Sequence, residues 1–359
     1  MAQDSGYNIY YGYSNDASGT SWVAPIMVPG MTGTSDYPSI GVDASGRIII
    51  GSYSGGYHVS LSNNAAGTSF TSAQAITNLP SGDTGASSRV VATSSKFELF
   101  LPYMPAPANT ISRVDRMESS DGISWIAQAS IDLPGQPQNQ SPSSNYCGGS
   151  TCGSIFYAPY LDAKGFTDGR WVVVFPVNNG GYNNIFIASS DRGNGLVNSY
   201  ADDQFLGAVA TSSDGGYWVN YYTFSDSNRN LPLIEQAIYI PPGASPIGAT
   251  TSPAGGISPT SWDQSFSASR GCPTPCFSAG DYNGISSNPY ASASTPYTMS
   301  GSTLTSLWQS FVQDPAVSNL PTFTPNYLSF PIGADLTYLA GPISPTTYAA
   351  SPTLTHGSK

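Results

Sequence analysis

The feature that most constrains the fold is a segment that recurs along the chain. Residues 8–25 and 57–74 each contain a short strand-like run, then Ser-Asn-Asp or Ser-Asn-Asn, then Gly-Thr-Ser and an aromatic residue before a second run. Residues 113–128 repeat this pattern, and residues 185–197 keep a shorter form of it. Self-similarity of this kind is typical of a fold built from copies of one supersecondary unit.

A second recurring element separates these copies. Its clearest copies begin at Asp36, Asp203 and Asp281, and diverged copies begin at Ser88 and Ile155. Each is followed by a turn and an apolar strand, so the repeated unit is four antiparallel strands, a to d, with the Ser-x-Asp turn between c and d. Small residues in strand a suit a crowded position near an axis, and a ring of such units is a β-propeller.

Composition agrees with an all-β fold and excludes several function classes. Charged residues make up 9% of the chain, and it contains only three Glu and three Lys, so strong helix formers are scarce. The formal net charge is −11, which argues against a nucleic-acid partner because phosphate contacts need clustered Lys and Arg. No run of 18 apolar residues occurs, so the sequence predicts no membrane span.

The repeats predict a six-bladed β-propeller in a single domain over residues 1–345, with a tail at 346–359. Blades two to six are expected to begin near residues 37, 88, 155, 204 and 282. The first blade would take strands c and d from the N-terminus and strands a and b from residues 326–331 and 335–340, which would remove exposed sheet edges. Seven blades remain the alternative, because residues 241–280 and 301–325 have no assignment.

Four cysteines form two tight pairs, Cys147 with Cys152 and Cys272 with Cys276. These spacings suit local disulfides or one four-thiolate metal site. Neither pair has the spacing of a zinc knuckle and no histidine lies nearby, which favours disulfides and an oxidising compartment. The N-terminus lacks a signal peptide, so the protein is either not secreted or has lost that segment; the cysteines favour an extracellular protein.

The Ser-x-Asp turns resemble the Asp-box repeat of the sialidase superfamily, Ser-x-Asp-x-Gly-x-Thr-Trp. The matching positions are Ser14, Asp16, Gly19 and Trp22 with one extra residue, Ser119, Asp121, Gly122 and Trp125 with one fewer, and Ser189, Asp191 and Gly193 without the aromatic. The side chains of such Ser and Asp residues can bond nearby backbone N–H groups, so the box aspartates are predicted to fix turns rather than to catalyse. The resemblance implies a secreted sialidase-like propeller.

Carboxylates are expected to gather at one end of the propeller. Asp36, Asp203 and Asp281 stand at the start of strand a in three blades, and these starts ring the central axis on one face. Together with Glu235 they are the candidate catalytic residues, because glycoside hydrolysis needs one carboxyl group as acid and another as base or nucleophile. A Ca²⁺ site and three separate turn caps are the alternatives that the sequence leaves open.

Candidate substrate-binding residues lie on the same face. Connections at 133–154 and 250–280 are long, carry the cysteine pairs and hold aromatic side chains that suit stacking on sugar rings. The candidates are Tyr37, Arg89, Tyr157, Gln204, Tyr282, Arg229 and Trp262. The resemblance implies three arginines for a sialate carboxylate, but Asp36-Tyr37-Pro38 stands where the family has Arg-Ile-Pro, and only Arg89 begins an inner strand. Sialidase activity itself is therefore not expected.

The sequence thus predicts a secreted, monomeric, carbohydrate-active propeller, most simply a glycoside hydrolase that needs no cofactor. The alternative is a non-catalytic propeller that binds glycan or protein on a cell or particle surface. Glu98 and Glu118 are assigned to outer strands and predicted to be surface residues.

Overall fold

The structure is a computed structural model. The residues it describes are 2–3, 7–13, 23–83, 87–104, 111–133, 143–148, 151–156, 161–179, 182–197, 204–211, 215–224, 233–240, 242–245, 276–278, 282–288, 305–312 and 326–330. Strands are the only regular elements among them, so no membrane-spanning helix occurs in this part of the chain.

The described strands form seven sheets. Blade one contains β1 (Ala2–Gln3), β2 (Ile9–Tyr11) and β3 (Ile26–Met27). Blade two contains β4 (Asp36–Val42), β5 (Ile48–Tyr53), β6 (Tyr57–Leu61) and β7 (Gln74–Ala75). Blade three contains β8 (Arg89–Ala92), β9 (Phe97–Tyr103), β10 (Arg113–Ser119), β11 (Ile126–Ala127) and β12 (Ile131–Asp132). A smaller sheet contains β13 (Ser143–Gly148), β14 (Thr151–Phe156) and, later in the chain, β22 (Cys276–Ser278).

The remaining sheets repeat the blade pattern. Blade four contains β15 (Asp162–Gly165), β16 (Trp171–Asn179), β17 (Tyr182–Ser189) and β18 (Gly193–Leu196). Blade five contains β19 (Gln204–Thr211), β20 (Tyr217–Phe224) and β21 (Leu233–Ile240). Blade six contains β23 (Tyr282–Asn288), β24 (Thr305–Val312) and β25 (Asn326–Phe330). Every strand pair within these blades is antiparallel.

Blades two to five pack face to face, because their strands bury side chains on both faces. In β16, Val172 and Val174 join the core shared with blade five, whereas Val173 and Phe175 join the core shared with blade three. This division follows from the two-residue period of a strand. The prediction of an all-β fold is confirmed for this part of the chain, and blades two and four have the four antiparallel strands that were predicted.

The first strands of successive blades lie side by side: β8 contacts β4 and β15, and β19 contacts β15 and β23. Glycine makes this approach possible. A Cβ at Gly41 would lie 2.4 Å from the backbone nitrogen of Ala92, and one at Gly165 would lie 1.9 Å from the Ala92 carbonyl oxygen. The predicted crowding of small residues at the inner strands is therefore confirmed.

One predicted blade start is wrong. Blade four begins at Asp162, not near residue 155. Residues 155–156 end β14, which pairs antiparallel with β13 and parallel with β22 in the smaller sheet. An apolar run such as Ile155-Phe156 suits any buried strand, and the parallel partner lies far away along the chain, so the local pattern could not distinguish the two sheets.

The predicted closure of the ring also needs correction. Residues 326–331 were expected to supply strand a of the first blade, but β25 pairs with β24 as the third strand of blade six. Residues 335–340 lie outside the described residues. The number of blades, six or seven, and the division into a domain at 1–345 and a tail at 346–359 remain predictions.

Candidate functional site

The starts of three inner strands meet at one end of the described blades. The backbone N–H of Val90 donates to the Ser39 hydroxyl at 3.0 Å, which sets the height of β8 against β4. The close approach of Gly165 to Ala92 sets the height of β15 against β8. Asp36, Tyr37, Arg89 and Asp162 therefore lie at the same end, and this group is called the mouth.

Asp162 lies where the inner strands of three blades meet. Its Oδ2 accepts the backbone N–H of Val209 on β19 at 3.0 Å. Its Oδ1 lies 3.9 Å from Nε of Arg89 on β8 and 3.8 Å from Nζ of Lys164 on its own strand. The side chains of Asp162 and Arg89 are only 14% and 12% exposed. A carboxylate is thus fixed at the junction of blades three, four and five.

Sequence reasoning missed Asp162 because it started blade four too early. A local signal was present: Asp168-Gly-Arg170 resembles the turn Asp43-Ala-Ser-Gly-Arg47, which follows strand a of blade two. Counting back from that turn by the length of a short strand leads to Asp162. The turn between strands a and b is therefore a better marker of blade register than the apolar run before it.

Asp36 begins β4 as predicted and is half-buried. Its Oδ1 accepts the backbone N–H of Tyr37 at 2.7 Å. Tyr37 has a φ of +54°, and Ser87, just before Arg89, has a φ of +59°. Such φ values are uncommon for residues with a side chain, and they concentrate at functional sites. Of the three described non-glycine residues with positive φ, two therefore lie at or beside the mouth.

A buried tyrosine, Tyr57, contacts the strand that carries Asp36 and Tyr37 of the mouth. The Tyr57 hydroxyl lies 2.7 Å from the Ser39 hydroxyl, and Tyr57 is fully buried. Burial raises the pKa of Tyr57 to about 12, so the phenol stays neutral. Its ring passes directly over Gly51, where a Cβ would lie 2.2 Å from the phenol oxygen. Glycine at position 51 therefore leaves room for the Tyr57 ring. The Tyr57 hydroxyl bonds Ser39, and Ser39 in turn accepts the Val90 N–H that links β4 to β8.

The other predicted site residues fall into two groups. Gln204 is 1% exposed, and its Oε1 accepts the backbone N–H of Ile185 at 3.0 Å, so it braces blade five against blade four. Tyr282 begins β23, and Glu235 lies in β21 opposite Tyr222. The remaining candidates lie outside the described residues: Asp203, Asp281, Tyr157, Arg229 and Trp262.

The cysteine-bearing connections share the smaller sheet. Cys147 stands directly opposite Cys152 in the antiparallel pair of β13 and β14. Cys276 begins β22 and pairs in register with Ser154, while Cys272 lies outside the described residues. Two connections that the sequence treated as separate loops are therefore joined by backbone hydrogen bonds, and the two disulfides remain a prediction.

The opposite end of the inner strands carries the Ser-x-Asp turns. Asp121 Oδ1 accepts the backbone N–H groups of Ile123 and Ser124 at 2.8 and 2.7 Å. These bonds hold the pKa of Asp121 well below its usual range. Asp191 instead binds side chains, with Nη1 of Arg170 at 3.0 Å and Nε of Arg192 at 3.2 Å. Both aspartates are turn residues, as predicted, whereas Asp16 lies outside the described residues.

Glu98 is not the surface residue that the sequence predicted. It is 3% exposed, and its Oε2 accepts from Nη1 of Arg116 at 2.9 Å. Burial raises the pKa of Glu98 to about 7, with Arg116 opposing the shift and Glu118 adding to it. β9 is not an outer strand: it pairs with β8 and β10 on its two sides, and its face toward blade four is buried.

The comparisons with known proteins found similar structures but no similar sequences. No protein-family model matches the chain, and no curated protein matches its sequence. The α-L-arabinanase of Penicillium chrysogenum complexed with arabinobiose is similar at a TM-score of 0.48 and 11% identity, over 86% of this chain and 81% of that one. A protein of unknown function from Dyadobacter fermentans gives 0.48 and 11% over 87% and 80%.

Sialidases are also among the similar structures. The intramolecular trans-sialidase of Ruminococcus gnavus, complexed with oseltamivir carboxylate, gives a TM-score of 0.42 and 14% identity. The match covers 68% of this chain and 52% of the trans-sialidase, so the matched region spans about half of that protein. The family that the Ser-x-Asp turns resemble is thus represented among these neighbours.

Proposed function

We propose that this protein is a secreted, carbohydrate-active β-propeller that hydrolyses glycosidic bonds at the mouth of its inner strands. The observation that carries the proposal is Asp162, a carboxylate held at the junction of three blades. Three independent inner strands converge there, which is where a ring of blades presents side chains to a shared ligand.

The mouth supplies the groups that this chemistry needs. Glycoside hydrolysis uses two carboxyl groups on either side of the scissile bond. Asp36 and Asp162 belong to different blades, and Asp203 and Asp281 immediately precede the first residues of β19 and β23. Arg89 and Tyr37 add a donor and an aromatic ring for sugar hydroxyls and ring faces. Glu235, Tyr157, Tyr282, Arg229 and Trp262 remain candidates for the same site, whereas Gln204 is buried between blades four and five.

The test is a screen of oligosaccharides and polysaccharides at pH 3–6, with and without added Ca²⁺. Asp162→Asn and Asp36→Asn should each lower turnover by about 10²-fold or more, because a positioned acid or base contributes at least that much. Asp168→Asn is the matched control, since Asp168 lies at the other end of the same blade and is exposed. Activity that survives both mouth substitutions, in folded variants, would refute the assignment.

A second function is favoured by the contacts of Asp162 itself. Both of its oxygens already face protein donors, and Arg89 is largely buried against it, which also suits a rigid binding surface without turnover. A non-catalytic glycan-binding propeller would bind sugars in the same screen, lose binding with Arg89→Met, and release no reducing ends.

A further inference from the structure

A second pair of carboxyl groups lies outside the mouth, on blade three. Asp83 belongs to the connection between blades two and three, and Asp115 lies on β10. Both oxygens of Asp83 are buried and receive no N–H or hydroxyl donor from the described part of the chain. The carboxyl group of Asp115 lies within hydrogen-bonding reach of Asp83, and the charge of Arg113 also acts on it. Two buried carboxylates at this separation cannot both stay ionised unless donors compensate them.

The hydrogen-bond donors of this cluster all bond Asp115 rather than Asp83. Nε of Arg113 lies 2.9 Å from each of its oxygens, and Nη2 lies 2.8 Å from Oδ2. The Ser130 hydroxyl also donates to Asp115 Oδ1. Although burial raises the pKa of Asp115, these bonds outweigh it and lower the pKa overall. Burial, together with the hydrogen bond and charge of Asp115, raises the pKa of Asp83 to about 7. Asp83 is therefore the member that holds the proton.

The turn that carries Asp83 docks on blade three. The backbone N–H of Asp83 donates to the Pro80 carbonyl at 3.1 Å. Gly82 has a φ of +89°, and a Cβ there would lie 2.5 Å from the ring of Tyr103. The guanidinium of Arg113 stacks 3.8 Å from the centre of that ring. The turn is thus held by one proton-dependent contact and by close packing, a few residues before Ser87 and Arg89.

We propose that the proton shared by Asp83 and Asp115 is a latch that holds the turn at residues 80–83 against blade three. The latch stands on the contacts of blade three and does not require that the mouth hydrolyse sugars. Asp83 acts here as a positioning residue.

The direction of the pH dependence follows from the groups that face Asp83. These are Asp115 and Arg113 on β10 and the Tyr103 ring on β9. Once the latch opens, Asp83 returns to an ordinary carboxyl pKa. Below that value both states hold the proton and pH has no effect. As pH rises toward 7 only the closed state keeps the proton, so opening becomes easier, and above this range the dependence levels off.

Hydrogen exchange on the full-length protein tests the latch. Protection of the amides in residues 76–83, corrected for intrinsic exchange rates, should fall at least about tenfold between pH 5 and pH 8, since each pKa unit is worth a factor of ten. In Asp83→Asn the amide group donates to Asp115 without a titrating proton, so protection of the same amides should be flat across this range.

Glu98→Gln is the matched control, because it removes the other described carboxyl group whose pKa lies near 7. It should leave the pH dependence of protection in residues 76–83 unchanged. An equal fall in Asp83→Asn would overturn the proposal. If that variant does not fold, the unmodified protein decides alone: flat protection from pH 5 to pH 8 would also overturn it.

Discussion

The two ends of the inner strands use the same residue types in opposite ways. At the turn end, Asp43 and Arg47 pair at 2.6 Å, and Arg170 pairs with Asp191 at 3.0 Å. At the mouth, the Arg89 and Asp162 pair is looser, at 3.9 Å. Arginine and aspartate at the turn end are joined by short hydrogen bonds, whereas the Arg89 and Asp162 pair at the mouth is too long for a hydrogen bond.

Backbone conformation separates the two ends as well. At the turn end, the residues with positive φ are glycines, as at Gly46 and Gly169. At the mouth, Tyr37 and Ser87 adopt positive φ although they carry side chains. The hydroxyl of Ser88 is buried there with no partner in the described residues. An end that serves only to join strands removes strain by using glycine, and the other end retains strain together with side chains that can do chemistry.

A substitution in the close contact between the inner strands β8 and β15 should cause the largest loss of stability. Gly165→Ala would place a methyl group against the Ala92 carbonyl oxygen, so we expect about 3 kcal/mol or more of destabilisation. Gly193→Ala is the control, because Gly193 has positive φ but no atom within 4 Å of the added Cβ; about 1 kcal/mol is expected. Urea unfolding measures both. Equal losses would show that the inner strands are not in tight contact.

Removing an arginine at the turn end should cause the second-largest loss of stability. Arg170→Met leaves the carboxylates of Asp168 and Asp191 and the Gly215 carbonyl without this donor, so we expect about 2 kcal/mol of destabilisation. The change should not affect binding at the mouth. A loss below about 0.5 kcal/mol in urea unfolding would place this arginine among ordinary surface charges.

The corresponding change at the mouth should cost less stability and more function. Arg89→Met removes a pair at 3.9 Å and leaves Asp162 with Lys164 and the Val209 N–H, so about 1 kcal/mol or less is expected. Sugar turnover or binding, measured on the folded variant, should fall at least about tenfold. Should Arg89→Met instead unfold the protein while its function persists in the folded fraction, the contrast between the two ends would be lost.

Local pattern was sufficient for most of the blade architecture. The starts of β4, β8, β19 and β23 follow from repeated short motifs, and the second strands β5, β9, β16 and β20 follow from apolar runs after turns. Burial of both faces of β16 likewise follows from its continuous apolar run, Trp171-Val-Val-Val-Phe. These features depend on neighbours in sequence, which is why residue order predicts them.

The features that local pattern did not predict depend on contacts between residues far apart in the sequence. The parallel register of β14 with β22 joins Ile155 to Phe277, and the pairing of β25 with β24 withdraws residues 326–330 from the first blade. Burial of Glu98 depends on the face that blade four presents to it. The position of Asp162 could have been read from the local Asp168-Gly-Arg170 turn, but its contacts with Arg89 and Val209 could not, because those residues belong to other blades.

The smallest expected effect concerns a single turn carboxylate. Asp121 has a pKa well below the usual range because Ser124 and Ile123 N–H groups bond its charged form. A lowered pKa means that its contribution is present above the ordinary carboxyl range and is lost as pH falls through and below it. Asp121→Asn keeps an acceptor oxygen but not the charge, so we expect a loss of about 0.5–1 kcal/mol at neutral pH. The difference from the unmodified protein in urea unfolding should narrow as pH falls from about 6 to about 3. A difference that stays constant over this range would mean that the turn depends on the shape of Asp121 rather than on its charge, and the turn end would then owe its stability to the arginines alone.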